Sequence, residues 1–138
     1  MTKEFWLNLP VKDISRSKDF FTKLGFSFNP GLGNTDTSAC LMIGHKNTVV
    51  MLFEEPFFKK CTSNEIADTK QVTEVLLSFD AESRQEVDEL AAKAAAAGGT
   101  VFHKPGEVQG WMYSCGFSDL DGHRWNVLYM DMSKMQKG

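Results

Sequence analysis

Residues 116–128, Gly-Phe-Ser-Asp-Leu-Asp-Gly-His-Arg-Trp-Asn-Val-Leu, have the pattern of two strands joined by a tight acidic turn. The Asp121-Gly122 pair favours the turn, because glycine accepts a positive φ and aspartate hydrogen-bonds to its own backbone. After the turn, residues 124–130 divide by a two-residue period into two sets that point to opposite faces of a sheet. The stretch therefore predicts a closing β-hairpin.

The chain has 138 residues, 42% of them hydrophobic and 24% charged, which is ordinary for a globular protein with a real core. A formal net charge of −3 argues against nucleic acid or an anionic membrane as a partner. No apolar run is long enough to span a bilayer, and residues 1–6 lack the apolar core of a signal peptide. We expect a cytoplasmic protein with reduced thiols, because Cys40, Cys61 and Cys115 have neither zinc-site nor paired spacing.

Apolar residues recur with a helical period in two further stretches. Asp13 is a plausible N-cap, and Ser15 a second candidate, for a helix over 14–24, which Gly25 ends. Ser83 and Glu86 have the spacing of a capping box for a second helix, which a Gly-Gly pair closes. The stretches that predict strands are 5–11, 26–28, 39–43, 48–53, 73–79, 100–103, 112–117 and 124–130.

Three segments between the predicted strands lack a strand pattern. Glycine, proline and polar residues predict loops at 30–37 and 105–109. Residues 57–68 fit either a short helix or a flap, since Phe57 and Phe58 precede a polar stretch. The two phenylalanines need apolar surroundings, which either the core or the mouth of a cavity would provide.

The two halves of the chain share one order of elements: a strand, an acidic cap, a helix ended by glycine, and three strands. Residues 6–13 align with residues 74–81 in this comparison. We interpret the pattern as a twofold repeat over approximately 4–55 and 71–131. Half of the chain would bury too little surface to be stable alone. We therefore predict a single α+β domain over 1–138, in which the halves pack on each other or on a partner chain.

The closing hairpin also resembles a known family. Residues 119–127, Asp-Leu-Asp-Gly-His-Arg-Trp-Asn-Val, are similar to the last hairpin of the vicinal-oxygen-chelate superfamily, which includes glyoxalase I, bleomycin and fosfomycin resistance proteins and extradiol dioxygenases. Residues 9–13 and 17–26 resemble the first strand and helix of the same superfamily. The resemblance implies two βαβββ units that form curved mixed sheets around a cavity, with the helices outside.

The resemblance further identifies four positions where metal-dependent members hold an ion, usually with His, Glu or Gln. In this chain those positions fall on Trp6, Met51, Glu74 and Asn126. The indole nitrogen of Trp6 can only donate a hydrogen bond, and the thioether of Met51 is a poor ligand beside oxygen donors. We therefore expect no metal and no other cofactor.

The same positions suit a small-molecule pocket, which needs mostly apolar walls and a few polar groups. Glu74 is a candidate general base if it is partly buried. The alternative is that it is an exposed carboxylate at the rim of the pocket or one partner of an ion pair. Tyr113 is included although the alternation alone does not identify the inward face of its strand. The candidate ligand-binding residues are Trp6, Asn8, Met51, Phe53, Phe57, Tyr113, Asn126 and Leu128.

The predicted positions of two histidines suggest what each of them does. We expect His123 in the turn to be structural, with a chemical role as the alternative. His103 ends a predicted strand and could lie at the mouth of a cavity.

These observations predict a glyoxalase/bleomycin-resistance-like protein that binds a small organic molecule in a cleft without a metal. The alternative is a metal-dependent lyase, isomerase or dioxygenase that resembles glyoxalase I or the extradiol dioxygenases. A cavity filled by the chain's own side chains, which would leave only an interaction module, is a third possibility. The resemblance also suggests a homodimer.

Overall fold

The computed structural model describes residues 1–31 and 33–134, so Leu32 of the predicted loop lies outside the described residues. The chain divides into two compact units, which begin at Met1 and Thr73. The elements of the first unit are β1 (Leu7–Val11), α1 (Ile14–Lys23), β2 (Ser27–Phe28), β3 (Ser38–Ile43), β4 (Thr48–Glu54) and α2 (Glu55–Thr62). Its strands form a sheet, here called sheet 1, in the order β1-β4-β3-β2, and β1 runs parallel to β4.

The second unit has its own four-stranded sheet, sheet 2, with the order β5-β8-β7-β6 and with β5 parallel to β8. A short 3-10 turn follows the sheet at Met132–Lys134. Both units have the element order βαβββ, which confirms the predicted α+β fold of mixed sheets. No helix in the described part of the chain is long and apolar enough to cross a membrane. The elements are β5 (Leu76–Asp80), α3 (Arg84–Ala96), β6 (Thr100–Val108), β7 (Met112–Ser118) and β8 (Arg124–Met130).

The structure differs from the sequence-based prediction at three strands, and it decides between the two alternatives for residues 57–68. The loop predicted at 105–109 is wrong, because β6 continues to Val108 and pairs with β7 beyond two register shifts. The second of these shifts, between His103 and Gly106, accommodates Pro105, which has no N–H for the ladder. Strands β1 and β5 also begin later than predicted, so Trp6 and Glu74 precede them. The segment after β4 contains a short helix, which is α2.

The core of the first unit lies between α1 and one face of sheet 1. Phe20 and Phe21 on the apolar stripe of α1 are buried, as are Leu9 and Leu52 on adjacent strands. The helix begins where predicted, since the Asp13 side chain accepts a hydrogen bond from the backbone N–H of Arg16 at 3.2 Å.

A second carboxylate completes the start of α1. Glu54 Oε2 accepts a hydrogen bond from the backbone N–H of Ile14 at 3.1 Å. This N–H belongs to the first helical turn and has no partner within the helix. The contact therefore ties the end of β4 to the beginning of α1.

In the second unit, α3 covers a layer of aromatic residues on sheet 2. Phe117 and Trp125 are fully buried on adjacent strands, with their rings stacked at a centroid distance of 6.4 Å. The buried residues of α3 are Val87, Leu90, Ala91 and Ala94. Ser83 caps the helix as predicted, with its Oγ 3.1 Å from the backbone nitrogen of Glu86.

The β7–β8 turn is organised by the buried carboxylate of Asp119. Its Oδ1 accepts hydrogen bonds from the backbone N–H groups of Asp121 at 3.0 Å and His123 at 3.1 Å. Its Oδ2 accepts a bond from the indole Nε1 of Trp125 at 3.0 Å. Burial raises the pKa of the Asp119 carboxyl, while the charge of His123 and the Trp125 bond act in the opposite direction. The side chain thus links the turn to the core.

We predict that Asp119→Ala lowers the free energy of unfolding by about 2–4 kcal/mol, because it leaves buried donors without an acceptor. Asp119→Asn keeps one acceptor oxygen and should cost less. The measurement is urea denaturation, in which the midpoint should fall while the slope stays constant. The control is Asp36→Ala, an exposed carboxylate of the first unit. A midpoint for Asp119→Ala equal to that of the control would contradict the assignment.

Candidate functional site

Helix α2 and helix α1 lie on different faces of sheet 1. Asn8 pairs in register with Met51, and each alternates along its strand with a buried residue of the α1 side. Phe53 follows two residues after Met51 and therefore points the same way. These three side chains point away from α1, toward the face where α2 contacts β1 and β4.

A cavity of about 330 Å³ lies against this face. Asn8 and Phe53 line the side of the cavity that the strands form, and three residues of α2 line the opposite side. Their spacing of three and four residues puts the α2 members on one side of the helix. Among the described residues, the lining of this cavity, here called the α2 cavity, consists of Asn8, Phe53, Phe58, Cys61 and Thr62.

Two of the other predicted residues border this cavity. Phe57 is 47% exposed, and its ring meets the ring of Phe53 edge-on at a centroid distance of 4.9 Å. Met51 is the register neighbour of Asn8 and is covered by Gly33 of the preceding loop. A Cβ at position 33 would lie 2.6 Å from Met51 Cε, and the backbone there has a φ of +66°, which favours glycine.

The polar groups of the α2 cavity are few. The Asn8 side chain has no hydrogen-bond partner within the described residues. Thr62 Oγ1 makes two long contacts, at 3.4 Å each, with the carbonyl oxygens of Lys59 and Asn64. The Asn8 amide, which carries both donors and an acceptor, is therefore the group best able to orient a ligand.

Trp6 does not line the α2 cavity, although the alternation of β1 extended backward would put it on the Asn8 side. It precedes the strand and is 50% exposed. Its indole is thus a surface group of the first unit.

In the second unit, Asn126 and Leu128 lie on the face of sheet 2 opposite to the aromatic core. Asn126 pairs in register with Ser78, and its Nδ2 donates to Ser78 Oγ at 3.5 Å. Tyr113 lies on the other face, because its hydroxyl donates to Asp88 Oδ1 of α3 at 2.7 Å. Including Tyr113 in one pocket with Asn126 was therefore wrong, since alternation alone did not identify its face.

Glu74 is bound to the closing hairpin. Its Oε1 lies 3.1 Å from Nδ1 of His123, whose side chain is buried, whereas the Glu74 side chain is 33% exposed. His123 also donates its backbone N–H to Asp119. Glu74 therefore contacts the imidazole of His123, and the His123 backbone belongs to the hydrogen-bonded turn around Asp119.

The residues at the superfamily's metal positions do not fit a metal ion. Among residues 1–31 and 33–134, no group of three or more His, Cys, Asp or Glu side chains could hold one. Trp6 offers no lone pair, the carboxylate of Glu74 contacts His123, and Met51 offers only a thioether. We therefore derive no chemistry through a metal.

Three lining residues were missed at the sequence level, and one signal could have identified them. Phe58, Cys61 and Thr62 recur at helical spacing within the segment that fitted either a helix or a flap. Assigning the helix would have grouped them, but the sequence does not indicate which sheet face the helix covers.

Comparisons with known proteins agree with this architecture. The family model for the N-terminal part of bleomycin resistance protein-like domains matches residues 4–44. A hypothetical protein from S. aureus is 34% identical, with a TM-score of 0.82 and coverage of 93% of this chain and 94% of that chain. No protein of curated function matches the chain.

Two further solved structures support the fold alone, since their identity is low. A glyoxalase/bleomycin resistance protein/dioxygenase family enzyme from Burkholderia phytofirmans is 19% identical, with a TM-score of 0.73, and the match covers 89% of this chain and 94% of that one. A genomically encoded fosfomycin resistance protein from Listeria monocytogenes is also 19% identical, with a TM-score of 0.67 and coverage of 97% and 98%.

The three thiols should differ sharply in reactivity. Cys61 is exposed, whereas Cys40 and Cys115 are buried, and burial raises the pKa of the Cys115 thiol to about 11. We predict that Ellman's reagent titrates only Cys61 in the native protein at pH 8, and all three thiols in denaturant. Cys61→Ser should abolish the native reaction. A native reaction that survives in Cys61→Ser would contradict the assigned burial.

Proposed function

The chain belongs to the vicinal-oxygen-chelate superfamily of glyoxalase and bleomycin-resistance-like proteins, and on that premise we propose that it binds a small organic molecule in the α2 cavity without a metal ion. The observation that carries the proposal is the cavity of about 330 Å³ with predominantly apolar walls. Ligand sites are concave and mostly apolar, with volumes of roughly 300–1,000 Å³. The α2 cavity is at the small end of that range, which favours a compact ligand.

The lining indicates a ligand with a planar apolar body and one hydrogen-bonding group. Phe53 and Phe58 offer aromatic surfaces from opposite sides of the cavity, one from β4 and one from α2. Aromatic rings favour edge-to-face or offset contact with a planar ligand. The Asn8 amide, which has no partner among the described residues, would bind the polar group.

Movement of α2, which forms one wall of the cavity, would let a ligand enter. This helix has no fully buried residue, and Ser63 ends it in the left-handed conformation with a φ of 54°. A short helix with few buried contacts opens at low free-energy cost. Small displacements of α2 would therefore admit the ligand.

The metal-dependent lyase or dioxygenase remains without a supporting observation. It requires oxygen or nitrogen donors at positions that here hold an indole and a thioether. A metal-free general base at Glu74 would have to give up its contact with His123. Binding of a ligand without catalysis requires neither metal donors at these positions nor the loss of the Glu74–His123 contact.

Filling the α2 cavity should abolish binding. We predict that Cys61→Trp removes the rise in melting temperature produced by small planar aromatics such as benzamide and indole, because the new ring occupies the ligand volume. Lys60→Trp is the matched control, since this exposed residue immediately precedes Cys61 in the same helix but does not line the cavity. The measurement is a thermal shift series on chelator-treated protein, repeated for Asn8→Ala.

Asn8→Ala should weaken the best compound about tenfold, which corresponds to one hydrogen bond of roughly 1.4 kcal/mol. Failure of every compound to raise the melting temperature of the wild-type protein would count against the proposal. An equal response of Cys61→Trp and Lys60→Trp would move the site away from the α2 cavity.

A further inference from the structure

Met51 stands at a position where metal-dependent members of the superfamily hold an ion, but its neighbours indicate a different role. In register, Met51 of β4 lies between Asn8 of β1 and Cys40 of β3. Paired residues of adjacent strands share a face, so all three side chains point away from α1. Asn8 lines the α2 cavity, whereas Met51 and Cys40 do not. Met51 is therefore at the boundary of the cavity, on its β3 side.

The loop before β3 lies against the far end of the Met51 side chain. Gly33 of this loop is so close that a Cβ there would lie 2.6 Å from Met51 Cε and 3.3 Å from Sδ. The loop is fastened at the same point, because Ser38 Oγ donates a hydrogen bond to the Gly33 carbonyl oxygen at 2.7 Å. Ser38 is in turn the register neighbour of Phe53, which lines the cavity. The thioether of Met51 thus lies between sheet 1 and the fastened loop.

Cys40 lies beyond Met51 in the order of the strands. Its side chain has no exposed surface, although it is on the same face of sheet 1 as the exposed Asn8. The order across the sheet is therefore the cavity residue Asn8, then Met51, then the buried Cys40 thiol. Methionine is unbranched and flexible, which lets it fill an irregular space of this kind.

We propose that Met51 sets the size limit of the ligand, because its side chain closes the α2 cavity toward β3. This inference rests on the proposed function and adds the class of ligand that the cavity excludes. Compact aromatics such as benzamide and indole fit, whereas the same compounds lengthened by a phenyl ring meet the Met51 thioether. Sulfur makes favourable contacts with aromatic rings, so the residue that is unsuited to a metal is well suited to the end wall of an aromatic site.

The first test of this role needs no ligand. In a Cys61→Ser background, Cys40 and Cys115 are the two remaining cysteines. The native protein is treated with methyl methanethiosulfonate, a small neutral thiol reagent, and the labelled cysteine is located by mass spectrometry. Adding Met51→Ala should raise the labelling rate of Cys40 at least tenfold, because the α2 cavity then extends to the thiol. Cys115, which is buried in the other unit, should stay unlabelled and so shows that the chain remains folded.

Two further variants make the labelling result specific. Met130→Ala makes the same deletion at an exposed position of β8 and should leave Cys40 protected. Met51→Val is a milder truncation to a residue that favours strands, and it should open the passage in part even if alanine destabilises β4. Equal labelling of Cys40 in the Met51 and Met130 variants overturns the proposal.

The second test measures ligand size directly. Isothermal titration calorimetry on chelator-treated protein compares benzamide with biphenyl-4-carboxamide, and indole with 5-phenylindole. The wild-type protein should bind the compact member of a pair at least tenfold more tightly than the lengthened one. Met51→Ala should abolish this preference and Met130→Ala should retain it. Equal affinity of the wild-type protein for both members overturns the proposal, and so does an unchanged preference in Met51→Ala.

The two tests separate the role of Met51 from the proposed function. If compact compounds bind but Cys40 stays protected in Met51→Ala, binding in the α2 cavity stands and the role of Met51 is overturned. If no compound binds the wild-type protein, the proposed function fails and the size limit fails with it. The labelling rates still show in that case whether Met51 closes the cavity, because they depend on no ligand.

Discussion

The buried carboxylate of Asp119 is the constraint on which the second unit depends most. By accepting hydrogen bonds from two turn N–H groups and from the indole of Trp125, it fixes the turn and the first core residue of β8 together. A strand that slipped by one residue would exchange its two faces. Anchoring Trp125 in the core therefore directs Arg124 and Asn126 to the opposite face, so one buried acceptor determines where the polar side chains of this sheet point.

The two units use the same strand order but differ in what covers the second face of the sheet. In the first unit, α2 follows directly from β4 and brings Phe58 and Cys61 over Asn8 and Phe53. In the second unit only the 3-10 turn Met132–Lys134 follows β8 in the described residues, and Arg124 stacks on Phe102 instead. The same fold thus presents an apolar cavity in one unit and an arginine–aromatic stack in the other.

Local rules predicted much of this fold and only part of the candidate site. Capping by Asp13 and Ser83 and the alternation in β8 were sufficient for α1, α3 and the closing hairpin, because these signals are contained in neighbouring residues. The continuation of β6 past Pro105 and the face occupied by Tyr113 depend on pairing and packing between distant segments. Asn8 and Phe53 were predicted to bind ligand and do line a cavity, whereas the contribution of α2 required knowing which face the helix covers.

Metal-free ligand binding in the α2 cavity can be measured directly. The measurement is a backbone 1H–15N correlation spectrum of chelator-treated protein, titrated with a neutral aromatic compound that raises its melting temperature. We predict saturable shifts centred on Asn8, Phe53, Phe58, Cys61 and Thr62 in the absence of any divalent ion. Shifts that appear only after Mn(II), Ni(II), Zn(II) or Fe(II) is added, or that are centred outside these residues, would contradict it.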